Sequence, residues 1–194
     1  MVDNAPWLIV GLGNPGPRYA ANRHNVGFMA VDALCESTYP PPAWSDRFKG
    51  RQTAIRIGTA RCVVLKPMTF MNRSGDSVQA AAAYHRVPVD QIVVLHDEID
   101  FSYARVAVKE GGGHGGHNGL RDLIRALGSR DFVRVRIGVG RPVHGEVADY
   151  VLSNFSKEEG GELPDLLGRA SKAAEAVLTD GVKAAMNTFN TQRG

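Results

Sequence analysis

Asn14, His24, Asn72, Asp97, His117 and Asn118 are the residues of this chain equipped for chemistry near neutral pH. Each falls on a loop beside an expected strand end or helix start. Histidine titrates near neutrality and can take a proton from water. An ionised aspartate on its other ring nitrogen fixes the tautomer and stabilises the imidazolium that forms. Asparagine amides can hold a water and donate to a developing oxyanion. Such a set suits hydrolysis of an ester, which has a better leaving group than an amide. No Gly-x-Ser-x-Gly elbow occurs, and Cys35 and Cys62 fall inside expected regular elements, which argues against a covalent nucleophile. The competing reading is a metal site at His114 and His117. Their H-x-x-H spacing sits in a glycine loop rather than on a rigid helix, with no evident third ligand nearby.

The histidines belong to the stretch Lys109 to Leu120, in which six of twelve residues are glycine. Glycine serves where backbone must take positive φ or lie close against something else. Asn118 is the expected N-cap of a helix with Leu120, Leu123, Ile124 and Leu127 on its apolar face, closed by Gly128. Backbone N–H groups at such a helix start are a natural seat for phosphate. Lys109 stands at the entry, and Arg121, Arg125, Arg130, Arg134, Arg136 and Arg141 follow. Net charge is only +3, yet arginine outnumbers lysine 17 to 6, and arginine makes forked contacts with phosphate. An acidic partner is indicated, nucleic acid first, with a merely solvated basic face as the alternative on charge alone.

These groups need a frame. Trp7 to Val10 reads as a buried strand, followed by Gly11-Leu-Gly-Asn-Pro-Gly16, which matches a dinucleotide fingerprint in letters only. Pro15 and Pro17 occupy the would-be first helical turn, and the helical pattern starts after Arg23-His24-Asn25. Its expected apolar face is Val26, Met29, Ala30, Ala33 and Leu34, with Asn25 as a candidate cap. Residues 51–57 and 60–66 alternate around Gly58-Thr59 as a hairpin does. Ser74 is a candidate cap for a helix running to about Arg86, and residues 91–96 form a strand buried on both faces, ending in Asp97-Glu98-Ile99-Asp100. Residues 104–108 and 132–139 are further strands, and 145–155 is weakly patterned. Ser156 and Glu159 form a capping box, a helix is expected over about 165–178, and Thr179-Asp180-Gly181 separates it from a short last helix. The two cysteines form neither a disulfide framework nor a close metal pair. Asp3 and Asn4 argue against a signal peptide, and no apolar run reaches the ~20 residues of a membrane helix, so a cytoplasmic setting is expected. The whole, residues 1–194, reads as one α/β domain with a mixed central sheet and helices on both faces.

Five blocks stand in order: Gly-Leu-Gly-Asn14-Pro-Gly, Arg-His24-Asn, Thr-Phe-Met71-Asn72-x-Ser-Gly, His-Asp97-Glu, and Gly-Gly-Gly-His-Gly-Gly-His117-Asn118-Gly-Leu-Arg. Together they resemble the bacterial peptidyl-tRNA hydrolases from Leu8 to about Gly140, with a looser match beyond. The resemblance implies a monomeric, cytoplasmic enzyme without cofactor or metal, whose helices over about 156–190 serve as lid or packing elements. It would cleave the ester between a peptide and the 3′-terminal ribose of tRNA. By motif, His24 would be the general base, Asp97 its orienting partner, and Asn14 a holder of His24 and substrate. Tyr19, Phe70, Met71, Asn72, His117 and Asn118 would bind substrate and the attacking water. Lys109 and Arg136 would clamp the 5′-phosphate of the tRNA. A protein of this fold that binds RNA without chemistry is the alternative, though phosphate binding alone needs none of His24, Asp97, Asn14 and Asn72.

Overall fold

The structure, a computed structural model, describes residues 5–191. Both ends of the expected 1–194 domain, with Asp3 and Asn4, lie outside the described residues.

Alternation along the central strands divides the apolar side chains between two cores. In β1 (Trp7–Gly11), Ile9 faces one side of the sheet while Leu8 and Val10 face the other. An unbroken apolar run is what a strand buried on both faces requires. Next come α1 (Val26–Glu36), the short strand β2 (Ser45–Arg47) and the hairpin β3 (Gly50–Ile57) and β4 (Ala60–Pro67). Then follow α2 (Ser74–His85), β5 (Ile92–Glu98), β6 (Val106–Glu110), α3 (Asn118–Leu127) and β7 (Val133–Gly138). Three helices follow: α4 (Val147–Val151), α5 (Lys157–Thr179) and α6 (Val182–Asn190). α1, α5 and α6 cover one core, and α2 and α3 the other. No helix among the described residues is long and apolar enough to cross a membrane.

The strands lie in the order β2-β3-β4-β1-β5-β7-β6. β4, β1, β5 and β7 are mutually parallel, while β3 and β6 run against their neighbours, which makes the sheet mixed as expected. The parallel strands end on one edge, so the loops after β1 and β4 and the last residues of β5 meet there. β6 runs the other way. The Gly-rich loop therefore leaves the sheet at the opposite edge and must cross back to reach Asp97. Gly111, Gly112, Gly115 and Gly116 turn it with φ of 65°, 105°, 57° and 83°, values that other residues adopt only under strain.

Several local expectations are corrected. The buried face of α1 is Val26, Gly27, Ala30, Val31, Leu34 and Cys35, with Met29 and Ala33 only half-buried, because the helix is pressed on the sheet along that line. Ser74 does not cap α2. Its hydroxyl donates to the Met71 carbonyl, and Asp122 of α3 accepts from Gly75 N at 2.8 Å instead. Asp97 and Glu98 do not follow β5 but belong to it, paired with Ile137 and Gly138 of β7. The capping box at Ser156 and Glu159 is formed and starts α5 at once, some eight residues earlier than expected, with Pro164 accommodated inside it.

Candidate active site

His24 sits in a single 3₁₀ turn, Arg23–Asn25, between β1 and α1. The turn is held down because α1 starts against the strand ends. A Cβ on Gly27 would lie 2.3 Å from the Leu95 carbonyl oxygen and 2.6 Å from Leu12 N, so only glycine permits this approach. The result places His24 Nδ1 2.8 Å from Asp97 Oδ2, across 73 residues of sequence. His117 Nε2 lies 2.7 Å from the other oxygen, Asp97 Oδ1. Both rings thus share one carboxylate, with centroids 4.9 Å apart.

The hydrogen bonds assign the protons. His117 Nδ1 accepts from Gly119 N at 3.1 Å and Leu120 N at 3.3 Å, so the ring proton is on Nε2, donated to Asp97. The N-cap of α3 is accordingly His117, not Asn118, and two of the N–H groups expected to seat phosphate are filled by this ring. On His24 the carboxylate holds the proton at Nδ1 and leaves Nε2 as the available base. Burial would push the Asp97 carboxyl up, but His24 and His117 outweigh it and hold it well below the usual carboxylate range. Burial works against a charged His24, and Asp97 again outweighs it, raising His24 above its usual value.

Asn25 is not a side-chain cap either. Its Oδ1 accepts from Asn14 N at 2.9 Å and its Nδ2 donates to Asn14 O at 2.9 Å, which fixes the loop after β1. Asn14 Oδ1 in turn accepts from Met71 N at 2.7 Å, tying that loop to the one after β4. No hydrogen bond links Asn14 to His24 among the described residues; the expected holding of His24 falls to Asp97. Asn14, Tyr19, His24, Phe70, Met71, Asn72 and Asn118 nevertheless meet along one groove of about 390 Å³, walled on the far side by Ala148, Val151 and Leu152. A second recess of about 310 Å³ shares His24, Asn118, Ala148 and Val151 and continues past Asp97, Glu98 and the Gly-rich loop. His24 stands where the two join.

Lys109 and Arg136 lie farther along the same sheet. Lys109 pairs with Arg134 and Ala107 with Arg136, so Lys109 and Arg136 are diagonal neighbours on one face. Arg136 is bound to Glu98 at 3.0 Å and lies over the Phe101 ring. Arg134, between them, is buried and donates to the carbonyls of Gly112 and Gly113, pinning the Gly-rich loop as it crosses. Much of the remaining basic segment is paired: Arg125 with Asp122 and Asp76, Arg141 with Asp100.

The metal reading changes partners. His114 accepts from Gly116 N at 3.0 Å, and among the described residues the group with ligand-like spacing is instead His24, Asp97 and His117. A metal on His117 Nε2 would have to displace the proton that this ring keeps there while its Nδ1 caps α3, so the donor set fits hydrogen bonding better than ligation. Burial pushes the Cys35 and Cys62 thiols up to about 12 and about 11, so neither is a ready nucleophile.

Three features escaped sequence reasoning. The wall residues Ala148, Val151 and Leu152 lie in a segment of weak pattern, and nothing local marks them. Arg134 was visible only as one arginine of many. Arg23 is buried beside His24 and bonded across 136 residues to Glu159, and only its placement before His24 could have drawn notice.

The chain matches the family model described as peptidyl-tRNA hydrolase over residues 8–194. It is 50% identical over 188 residues to a peptidyl-tRNA hydrolase of Sorangium cellulosum, covering 95% of this chain and 84% of that one. It is 44% identical to one of Bdellovibrio bacteriovorus, covering 95% and 100%. A crystal structure of the Acinetobacter baumannii peptidyl-tRNA hydrolase superposes with a TM-score of 0.89 at 35% identity, over 98% of this chain and 97% of that one.

Proposed function

This chain belongs to the peptidyl-tRNA hydrolase family, and we propose that His24 and Asp97 drive its chemistry as a base and its orienting carboxylate. The enzyme hydrolyses peptidyl-tRNA. The ester between the peptide and the 3′-terminal ribose lies across His24, peptide in the groove of Asn14, Phe70, Met71 and Asn72, and ribose toward the recess beside Glu98. His24 Nε2 takes a proton from water as the water attacks the ester carbonyl, and when the tetrahedral intermediate collapses the bond to the 3′-ribose oxygen breaks and that oxygen leaves with the proton returned by His24. Asp97 keeps the Nδ1 proton in place and stabilises the imidazolium, and His117 holds Asp97 from the other side. Asn72 and Asn118 bind the peptide's first residue and the water, and the Asn14 amide, fixed through its oxygen, offers its N–H to the substrate. Lys109 and Arg136 hold the 5′-phosphate of the tRNA. We further propose that the protein acts as a monomer in the cytoplasm.

The observation that carries this reading is the shared carboxylate: 2.8 Å to His24 and 2.7 Å to His117. An RNA-binding protein without chemistry has no use for a buried carboxylate between two rings. Purified protein should release peptide from peptidyl-tRNA at a rate unchanged by exhaustive chelation. Tight tRNA binding without turnover would favour the non-catalytic reading, and activity lost to chelator and restored by zinc would favour a metal.

A further inference from the structure

Arg23 is the residue next to the proposed base, and it is 7% exposed. Its guanidinium reaches into the segment that follows α4. One terminal nitrogen donates to Ser153 Oγ at 2.6 Å and to the Asn154 carbonyl at 2.7 Å, and the other to Glu159 Oε2 at 2.7 Å. The Arg23 backbone N–H donates to the Ser153 carbonyl at 3.0 Å. Its carbon Cζ lies 4.3 Å from the centre of the Tyr150 ring. Asn22 adds a bridge to Asn154, with its side-chain amide donating at 2.8 Å.

Glu159 is not a free counter-ion. The same oxygen accepts from Ser156 N at 2.7 Å as half of the capping box that begins α5. One fork therefore joins three things: the turn carrying His24, the stretch just after Val151 and Leu152, and the start of the long helix. Burying an ion pair rarely stabilises a fold more than apolar packing would, and the Arg23 Nε finds no acceptor in its buried setting. What such a pair supplies is position.

We propose that Arg23 is a positioning residue: by fixing residues 150–154 to the His24 turn, it sets the width of the groove between His24 and the Val151–Leu152 wall. This inference rests on the reading of His24 as the base and of that groove as the peptide's. A planar fork can meet acceptors lying in different directions, whereas a lysine ammonium is a point that cannot reach all three. Misplacement of about 1 Å at a distance from the chemistry can cost about a hundredfold in rate.

The test compares two substrates that differ only in the residue esterified to the tRNA, an N-acetylated leucyl and an N-acetylated glycyl form. The glycyl form presents nothing to the wall. In Arg23→Lys, the ratio of kcat/KM for leucyl over glycyl substrate should fall about tenfold. Glu159→Gln, which keeps both the Ser153 and Asn154 contacts and a cap acceptor, should lower the ratio about threefold and serves alone if Arg23→Lys does not fold. A role in stability only would remove active enzyme and depress both substrates alike; an unchanged ratio in the folded variant overturns the inference. His24→Ala, run beside them, separates the two readings. If it retains wild-type turnover, the base assignment fails whatever Arg23 does; if it is inactive and the ratio is unchanged, only the Arg23 inference fails.

Discussion

His117 Nε2 lies 2.7 Å from Asp97 Oδ1 while its Nδ1 accepts the first free N–H groups of α3. One ring therefore ends a helix and braces the carboxylate that orients His24. The same arrangement explains why the Gly-rich loop crosses the sheet: only so can a residue leaving β6 at one edge reach an acid at the other.

Replacing Asp97 by Asn should lower kcat/KM by at least about a hundredfold, because an amide can donate to His24 Nδ1 and reverse its tautomer. The remaining activity should titrate differently. His24 sits above its usual value only because Asp97 outweighs its burial. Without the charge, burial lowers it, and the acid limb of the pH–rate profile should move to lower pH. A limb that stays in place would detach Asp97 from His24.

His117→Ala should move that limb the other way. Its N–H stabilises the Asp97 anion and draws proton affinity from it; with that N–H gone, the carboxylate favours charged His24 more strongly. Removing the cap should also cost about 1 kcal/mol, roughly 2–4 °C in Tm for a chain of this size. A shift to lower pH would contradict the shared-carboxylate account.

Lys109→Ala and Arg136→Ala should raise KM for full-length peptidyl-tRNA more than they lower kcat, since phosphate far from the ester is held alike in ground and transition states. Each should flatten the salt dependence of binding, by about 0.9 in slope for every phosphate no longer neutralised. On a peptide ester of adenosine, which has no such phosphate, both should behave as wild type. Because Glu98 already binds Arg136 at 3.0 Å, Glu98→Gln should release it and lower KM for the long substrate. Equal effects on long and short substrates would remove the clamp.

Asn14→Ala should leave Met71 N as a buried donor without its partner, a loss of about 1–3 kcal/mol. It should also lower kcat/KM by loosening the loop after β4 that carries Phe70 and Asn72. Unfolding in urea and steady-state kinetics measure the two effects separately, and a change in stability without one in kinetics would confine Asn14 to the scaffold.

What could be read in the chain follows from how far each signal reaches. The buried strands, the β3–β4 hairpin and the Ser156 capping box are local patterns and were legible. His24, Asp97 and the asparagines were legible as types on loops beside strand ends, and the sheet gathers them on one edge. Caps were misassigned where a distant partner wins: Asn25 spends its side chain on Asn14, and Asp122 serves Gly75 from another helix. The role of Arg23 was hidden for the same reason, since all its side-chain hydrogen-bond partners lie at least 130 residues away. The wall at Ala148, Val151 and Leu152 left no mark because a five-residue helix carries too few turns to show a period.

Whether His24 Nε2 is the base is decided by single-turnover hydrolysis of peptidyl-tRNA by His24→Ala, with tRNA affinity measured on the same protein. The rate should be lower by roughly 10²–10⁴-fold with affinity close to unchanged, because the missing proton transfer belongs to the transition state. Hydrolysis at the wild-type rate by the folded variant would contradict that assignment.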